Sequence, residues 1–315
     1  MPAEFDLIDR IRRRVLARGD VALGIGDDAA LLEVPPGRQL VVAMDTLNAG
    51  VHFPVDTAPA DIGWKALAVN LSDLAAMGAE PAWCTLSLAL PVADAEWLDA
   101  FLDGFSELAG AHGIALVGGD TTRGPLSISI AAHGFVEPGR ALRRDAARDG
   151  DEVWVSGTLG DAAAALPGVL AGAAVDPAMR ARLDRPVPRV ALGRALAGLA
   201  RSGIDVSDGL LADLAHVAAA SGVAIDIDLD ALPGSPAVLA LAADARRCTQ
   251  ATGGDDYELC FTAAPADASA IEAIAAVTAT RVTRIGRVRG GRGVHARLAD
   301  GTAWLPPRAG HVHFA

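Results

Sequence analysis

The stretch Glu137-Pro-Gly-Arg-Ala-Leu-Arg-Arg-Asp-Ala-Ala-Arg-Asp-Gly-Asp151 decides how the chain is divided. It is polar and Arg-rich, and its Pro and Gly residues interrupt both helix and strand. Upstream, short β-type runs alternate with Ala/Leu-rich helical patterns. The strand-like runs are 21–25, 39–44, 82–90, 114–117 and 126–136. The helical ones are 1–18, 61–77 (capped by Asp61, stopped by Gly78) and 94–112. In the last of these Trp97, Leu98, Phe101, Leu102, Phe105, Leu108 and Ala109 keep the 3.6-residue period. Downstream, the same alternation restarts. Strands are predicted at 152–156, 203–206, 223–229, 259–262, 281–288 and 294–298, with helices from Asp161, at 190–201, 210–221 and near 266–277. Residues 176–189, with Pro177, Pro186 and Pro188, read as an exposed excursion. The expectation is an α/β (α+β) chain of two α/β domains.

Composition narrows the class. The chain has 315 residues, of which 51% are hydrophobic, enough for a sizeable core. No run approaches the ~18 apolar residues of a membrane span. The N-terminal stripe Phe5, Leu7, Ile8, Ile11, Val15 and Leu16 reads as an amphipathic helix rather than a signal peptide, so a cytoplasmic location is expected. Net charge is −12 without any Lys-rich run, which argues against nucleic acid as partner. Cys84, Cys248 and Cys260 form no CxxC pair; Cys84 and Cys260 lie in apolar runs and read as core. Lys65 is the sole lysine and follows Trp64, not Gly, so any nucleoside triphosphate is bound without a P-loop.

Acids recur beside small residues at strand ends and helix starts. They stand in Gly-Ile-Gly-Asp27-Asp28, Val-Ala-Met-Asp45-Thr, Asn70-Leu-Ser-Asp73, Val-Gly-Gly-Asp120-Thr, Asp205-Val-Ser-Asp208-Gly and Gly-Gly-Asp255-Asp256-Tyr-Glu258. Rims of α/β sheets are where ligands bind. Two carboxylates ~4 Å apart repel by about 4 kcal/mol at an effective dielectric near 20, so a cluster of them calls for a cation. All-oxygen ligation suits Mg²⁺, which keeps positions open for phosphate. Taken singly, an Asp after Gly reads as a turn or cap residue, and Asp61 and Asp94 are assigned to capping. Asn70 and Asp73 share one helix face among Leu71, Leu74 and Ala75, a costly placement without a ligand.

Softer candidates keep two readings each. Gly157-Thr-Leu-Gly160 ahead of a helix reads as a phosphate cradle or a plain turn. Arg143 and Arg144 read as phosphate contacts or a solvated linker. His52 reads as an exposed loop residue or a ligand contact, and His216 as structural.

Six segments carry a resemblance. Gly24-Ile-Gly-Asp-Asp-Ala-Ala, Asn70-Leu-Ser-Asp-Leu-Ala-Ala-Met-Gly-Ala, Gly118-Gly-Asp-Thr-Thr-Arg-Gly-Pro, His133-Gly-Phe, Asp205-Val-Ser-Asp-Gly-Leu and Asp256-Tyr-Glu-Leu-Cys-Phe occur in this order. Along nearly its whole length the chain resembles the thiamine-monophosphate kinase family of the aminoimidazole-ribonucleotide synthetase-like superfamily. The resemblance implies an ATP/Mg-binding and dimerisation domain over 1–139, with a mixed sheet forming the dimer interface. It implies a C-terminal α/β domain over 150–315 that completes the ATP and substrate site. It further implies Mg²⁺ held by Asp28, Asp45, Asp73, Asp120, Asp205 and Asp208, with backbone carbonyls of Ala43 and Met44 in support. ATP would be contacted by Gly119, Asp120, Arg144 and Ser207, and thiamine monophosphate by His52, Asp255 and His311. The catalytic set is Asp28, Asp73, Asp120 and Asp208. Three departures from the family pattern stand out: Asp255 replaces Glu, His311 replaces Tyr or Trp, and Ala43-Met44 stands where Ser/Thr is common. The implied reaction is direct in-line transfer of the ATP γ-phosphoryl group to thiamine monophosphate in a homodimeric enzyme. The alternatives are another ATP-using member of the superfamily, an Mg-dependent phosphohydrolase, or a non-catalytic nucleotide sensor.

Overall fold

The structure, a computed structural model, describes residues 4–306 and Gly310. The chain forms two compact units, Met1–Leu74 with Ala79–Pro138, and Ala75–Gly78 with Gly139–Ala315. No helix among the described residues is long and apolar enough to cross a membrane.

The first unit contains α1 (Glu4–Arg12), β1 (Val21–Leu23), β2 (Leu31–Leu32), β3 (Gln39–Asn48), α2 (Pro59–Ala76), β4 (Glu80–Leu90), α3 (Ala95–His112), β5 (Ala115–Arg123) and β6 (Ser127–Val136). β1 and β2 make a small antiparallel ribbon. The main sheet runs β3-β6-β4-β5, antiparallel except for the β4/β5 pair. Leu86, Leu88, Ile128, Ile130 and Ala132 fill its covered face, and Asn70 of α2 bonds to β3 on that side. The two helices meet backbone to backbone. A Cβ on Gly104 would lie 1.8 Å from the Ala60 carbonyl oxygen, and one on Gly63 would lie 2.0 Å from that of Phe101. α3 begins where the periodicity placed it, with the Asp94 carboxylate accepting the N–H groups of Glu96 and Trp97. It ends at Gly113 in the left-handed conformation (φ 63°).

The opposite face is unevenly covered. Trp83 and Phe135 meet edge to face at 5.0 Å under Val21, Ala30 and Leu32. Further along, Leu40, Val42 and Met44 of edge strand β3 are 45%, 58% and 64% exposed.

The second unit contains β7 (Glu152–Ser156), α4 (Asp161–Leu170), α5 (Pro177–Asp184), α6 (Val190–Leu196), β8 (Ser202–Asp205), α7 (Leu210–Ser221), β9 (Ala224–Asp228), α8 (Pro236–Leu239), α9 (Ala243–Thr252), β10 (Leu259–Ala263), α10 (Ala268–Val277), β11 (Val282–Arg289), β12 (Gly293–Arg297) and β13 (Ala303–Trp304). Its seven-stranded sheet runs β13-β12-β9-β11-β7-β10-β8, with only β12/β9 parallel. α7 sinks Leu210, Leu214 and Val217 into a core with Val155, Ile204, Ile225 and Cys260. Cys84 and Cys260 are buried as expected, and burial raises both thiol pKa values.

Several boundaries differ from expectation. α1 stops at Arg12, leaving Val15 and Leu16 outside it. Asp61 does not cap α2; it sits in the first turn of a helix that begins at Pro59. Residues 176–189 are not an exposed excursion. Asp176 caps α5, and Met179 and Leu183 pack with Ala162, Ala165, Val169 and Val238. Each proline there lies outside a helix interior or at its first turn, where it is tolerated. α8, α9 and β13 were unmarked by periodicity.

The backbone contact between α2 and α3 yields a test. Gly104→Ala gains ~1 kcal/mol of helix propensity, but the new methyl meets a carbonyl that cannot rotate away. A net loss of about 1–3 kcal/mol is expected from over-packing. Urea unfolding checks it, and an unchanged or raised midpoint would contradict the crossing geometry.

Candidate active site

In the first unit two groups of expected site residues form. Gly24–Ala30 and Gly118–Thr121 line a cleft of ≈ 840 Å³ together with residues of α1 and β4. Asp28 and Asp120 both stand in this cleft, as do Asp27 and Arg12. The strand expected to end at 117 is longer: the Gly118-Gly-Asp-Thr-Thr run is the outer half of β5, which continues to Arg123. Gly119 allows this. Its φ is 152°, and a Cβ there would sit 1.8 Å from the Leu86 carbonyl oxygen. β5 is an edge strand, so its outer N–H and C=O groups are left for a ligand.

The second group is Asp45, Asp73, Asn70 and His52. Asn70 is 1% exposed, accepts the Asp45 N–H (3.1 Å) and donates to the Ala66 carbonyl (3.0 Å). The Asp45 and Asp73 side chains hydrogen-bond to one another; burial pushes the Asp45 carboxyl pKa up, while His52 and Asp73 act against that rise. His52 Nδ1 accepts the Asn48 N–H (3.0 Å), which leaves Nε2 as the ring's donor position when neutral. Because the Asp45 N–H points off the β3/β6 ladder, strand parity turns the Ala43 carbonyl to the same outer side and that of Met44 toward β6.

Register separates the two groups. Asp120 pairs with Ser87, Ser87 with Ser129, and Ser129 with Thr46, so Asp120 shares the open face with Thr46. Asp45 is on the other face, toward α2. A single crowded cluster is thus not what this unit contains. Among the described residues no three Asp, Glu, His or Cys converge as a metal site would require.

In the second unit Asp205 ends β8, and the loop from there to α7 carries Ser207 and Asp208. Asp205 is buried, and Ser207 and Asp208 are half-buried. Beneath them lies Asp213, which sequence reasoning passed over because it reads as an ordinary first-turn acid of α7. Its Oδ2 accepts the N–H groups of Ser207 (3.0 Å), Asp208 (3.1 Å) and Gly209 (3.1 Å). Burial, and then the charges of Asp205 and Asp208, push its carboxyl up to about 7. Asp255 is held nearby: its N–H donates to the Ser207 carbonyl (2.9 Å), and Tyr257 Oη donates to its Oδ1 (3.2 Å). Gly310 lies against the Asp208 carbonyl and Ala212. His311 lies outside the described residues.

The remaining acids of the Gly-Gly-Asp-Asp-Tyr-Glu segment serve structure. Asp256 is fully buried, and both its oxygens accept the Gly160 N–H (2.9 and 3.0 Å). Burial raises its pKa well above the usual carboxylate range. Glu258, also fully buried, accepts from Arg189 at both oxygens (2.6 Å each), from Arg182 (2.7 Å) and from Ser156 (2.5 Å). A Cβ on Gly157 would collide with it. Gly157-Thr-Leu-Gly160 is therefore answered by the chain's own carboxylates, which corrects its reading as a phosphate cradle. Arg143 is paired with Asp145 (2.5 and 2.8 Å), while the Arg144 side chain is exposed. His216 is exposed on α7 rather than structural.

Residues 26–136 match the family model for the AIR synthase related protein N-terminal domain, and residues 148–299 match that for the C-terminal domain. The fold is thus that of an ATP-binding enzyme of the AIR synthase-related class. The thiamine-monophosphate kinase of Salmonella typhimurium is 48% identical over 276 residues, 85% of each chain. The crystal structure of thiamine-monophosphate kinase from Stenotrophomonas maltophilia K279a is 57% identical, covers 96% of this chain and 98% of its own, and superposes with a TM-score of 0.88. AaThiL, complexed with AMPPCP and TMP, is 33% identical over 99% of both chains with a TM-score of 0.78. The chain belongs to the thiamine-monophosphate kinase family.

Glu258 supplies a prediction. Glu258→Ala strands two arginines in a buried site and is expected to cost about 3–5 kcal/mol, with Glu258→Gln costing less. Equilibrium unfolding measures both; equal, small losses would show that the arginines find other partners.

Proposed function

We propose that this chain phosphorylates thiamine monophosphate to thiamine diphosphate by direct in-line transfer of the ATP γ-phosphoryl group. The observation that carries the reading is the Asp45–Asp73 pair. Two mutually hydrogen-bonded carboxylates beside a β-strand are a poor way to stabilise a fold and a good way to hold a hard cation. The relative AaThiL, which was crystallised with AMPPCP and TMP, supports the choice of substrates.

The donor set fits Mg²⁺. It is all oxygen, in separate groups: the Asp28 and Asp120 carboxylates in one cleft, those of Asp45 and Asp73 with the outward Ala43 carbonyl on the α2 side, and those of Asp205 and Asp208 in the second unit. The Met44 carbonyl, turned toward β6, drops out of the expected set. When bound, the metal ions would neutralise phosphate charge and align donor and acceptor. The chain's own residues do the rest. Gly119 keeps the β5 edge close to the nucleotide, Asp120 faces the same cleft, and Arg144 and Ser207 offset and orient phosphate oxygens. His52, with its tautomer set by Asn48, and Asp255 are the residues assigned to the acceptor in this reading, together with His311. The acceptor is itself a phosphate, anionic at neutral pH, so the reaction asks for no strong general base.

A coupled assay tests this. ADP release should require thiamine monophosphate and Mg²⁺ and should match thiamine diphosphate formed. Asp73→Asn and Asp120→Asn should each lower kcat at least ~100-fold without loss of fold. ADP release indifferent to thiamine monophosphate would favour a phosphohydrolase instead.

We infer a homodimer formed through the open face of the first unit's sheet. Three exposed apolar side chains, Leu40, Val42 and Met44, on one edge strand form a patch that a second copy would cover. Val42→Glu should shift the mass seen by light scattering from dimer to monomer; a wild-type monomer would refute the inference.

A further inference from the structure

Asp213 stands one turn into α7 and is 3% exposed. Three successive N–H groups converge on its Oδ2. Other backbone groups of the loop are committed as well. The Val206 N–H donates to the Glu258 carbonyl (2.8 Å), the Tyr257 N–H to the Val206 carbonyl (2.8 Å), and the Asp255 N–H to that of Ser207 (2.9 Å). None of these bonds uses the Ser207 or Asp208 side chain.

An ordinary cap would serve stability at lower cost. A Ser or Asn at the N-cap satisfies helix donors from a solvated position, yet Gly209 occupies it and makes no side-chain cap bond. Asp213 instead reaches back, out of its own helix, to the turn that precedes it. A buried carboxylate beside Asp205 and Asp208 runs against both burial and charge. What it secures is shape. Three consecutive N–H groups reach one oxygen only if the backbone curls into a concave nest, and that curl fixes where Asp208 points.

We propose that Asp213 is a positioning residue for phosphoryl transfer: by holding the Ser207, Asp208 and Gly209 N–H groups it sets the Asp208 carboxylate and Ser207 hydroxyl toward the metal-bound nucleotide phosphates. This rests on the phosphoryl-transfer reading above. Asp213 touches neither nucleotide nor acceptor and acts only through the loop. What it supplies is an acceptor oxygen, which an Asn amide carbonyl also offers.

The test compares Asp213→Ala with Asp213→Asn in the full-length protein. Amide hydrogen exchange at residues 207–209 reads the loop without substrate. Steady-state kinetics read kcat, the KM for thiamine monophosphate, and the Mg²⁺ concentration for half-maximal rate. In the Ala variant, protection at 207–209 should fall, kcat should drop at least ~tenfold, and the Mg²⁺ requirement should rise, with the KM for thiamine monophosphate nearly unchanged. The Asn variant should keep the protection and return to within about threefold of wild-type kcat. Asp213→Leu, of similar volume and without an acceptor, replaces the Ala variant should the cavity prevent folding. An Asn variant with intact protection but turnover as low as Ala would overturn the proposal in favour of a direct ligand role. Normal turnover in a variant that has lost protection would overturn it too. Should the wild type make no thiamine diphosphate, the substrate reading fails. Exchange, and calorimetric binding of a non-hydrolysable ATP analogue with Mg²⁺, would still decide whether Asp213 holds the loop.

Discussion

Three backbone N–H groups meeting one buried carboxylate oxygen are the constraint on which the second unit's ligand-bearing loop depends. A loop between a strand and a helix has two free dihedrals per residue, and nothing in Val-Ser-Asp-Gly selects one curl by itself. Asp213 transfers the rigidity of α7 to that loop. Asn70 does the same in the first unit, where it ties the Asp45 N–H to α2. Each hydrogen bond to a charged acceptor contributes ~1.5–3 kcal/mol, while desolvating a carboxylate costs several kcal/mol. The two nearly cancel, so the arrangement specifies geometry more than it adds stability.

The same comparison sorts the acids. Asp94, Asp176, Asp256 and Glu258 are met by N–H, O–H or guanidinium donors, and their charge is answered inside the chain. Asp45 and Asp73 hydrogen-bond to each other, and His52 also acts on Asp45. Asp205 and Asp208 crowd Asp213. Crowding by like charge disfavours the anion and a cation relieves it, whereas hydrogen-bond donors stabilise the anion directly. Sequence spacing does not distinguish these cases: Asp255 and Asp256 are adjacent, yet one is half-buried beside the loop and the other seals the Gly160 N–H.

Periodicity made α3 and α7 legible, because a one-faced apolar stripe and a cap or glycine stop are local signals. Strand 152–156 was equally plain as an apolar run between a polar linker and a glycine. What failed were elements whose cause is tertiary. β5 continues through two glycines because Leu86 leaves no room for a side chain at Gly119. α5 folds among prolines because Met179 and Leu183 have a pocket to enter. Among site residues, the Asp45, Asp73, Asp120, Asp205 and Asp208 segments were visible as acids beside small residues. Asp213 was not, since nothing local distinguishes an acid that turns back toward the loop from one that faces water. The Asp-x-x-x-x-Asp spacing from Asp208 is the signal that was available.

Asp255 shows how a departure from the family pattern agrees with the backbone. It lies at φ 67°, and Tyr257 at φ 49°. Side chains at positive φ are strained, and short Asp or Asn tolerate the region best. The strain of roughly 1–2 kcal/mol per residue is offset because the N–H groups of both residues bond to Val206 and Ser207 carbonyls. A Glu here would reach one methylene further but would occupy the left-handed region less readily. With Asp, the carboxylate sits closer to its own backbone and receives the Tyr257 hydroxyl. The segment and the Asp213-held loop therefore fix one another, one supplying N–H groups and the other carbonyls, and neither adopts its curl without its neighbour.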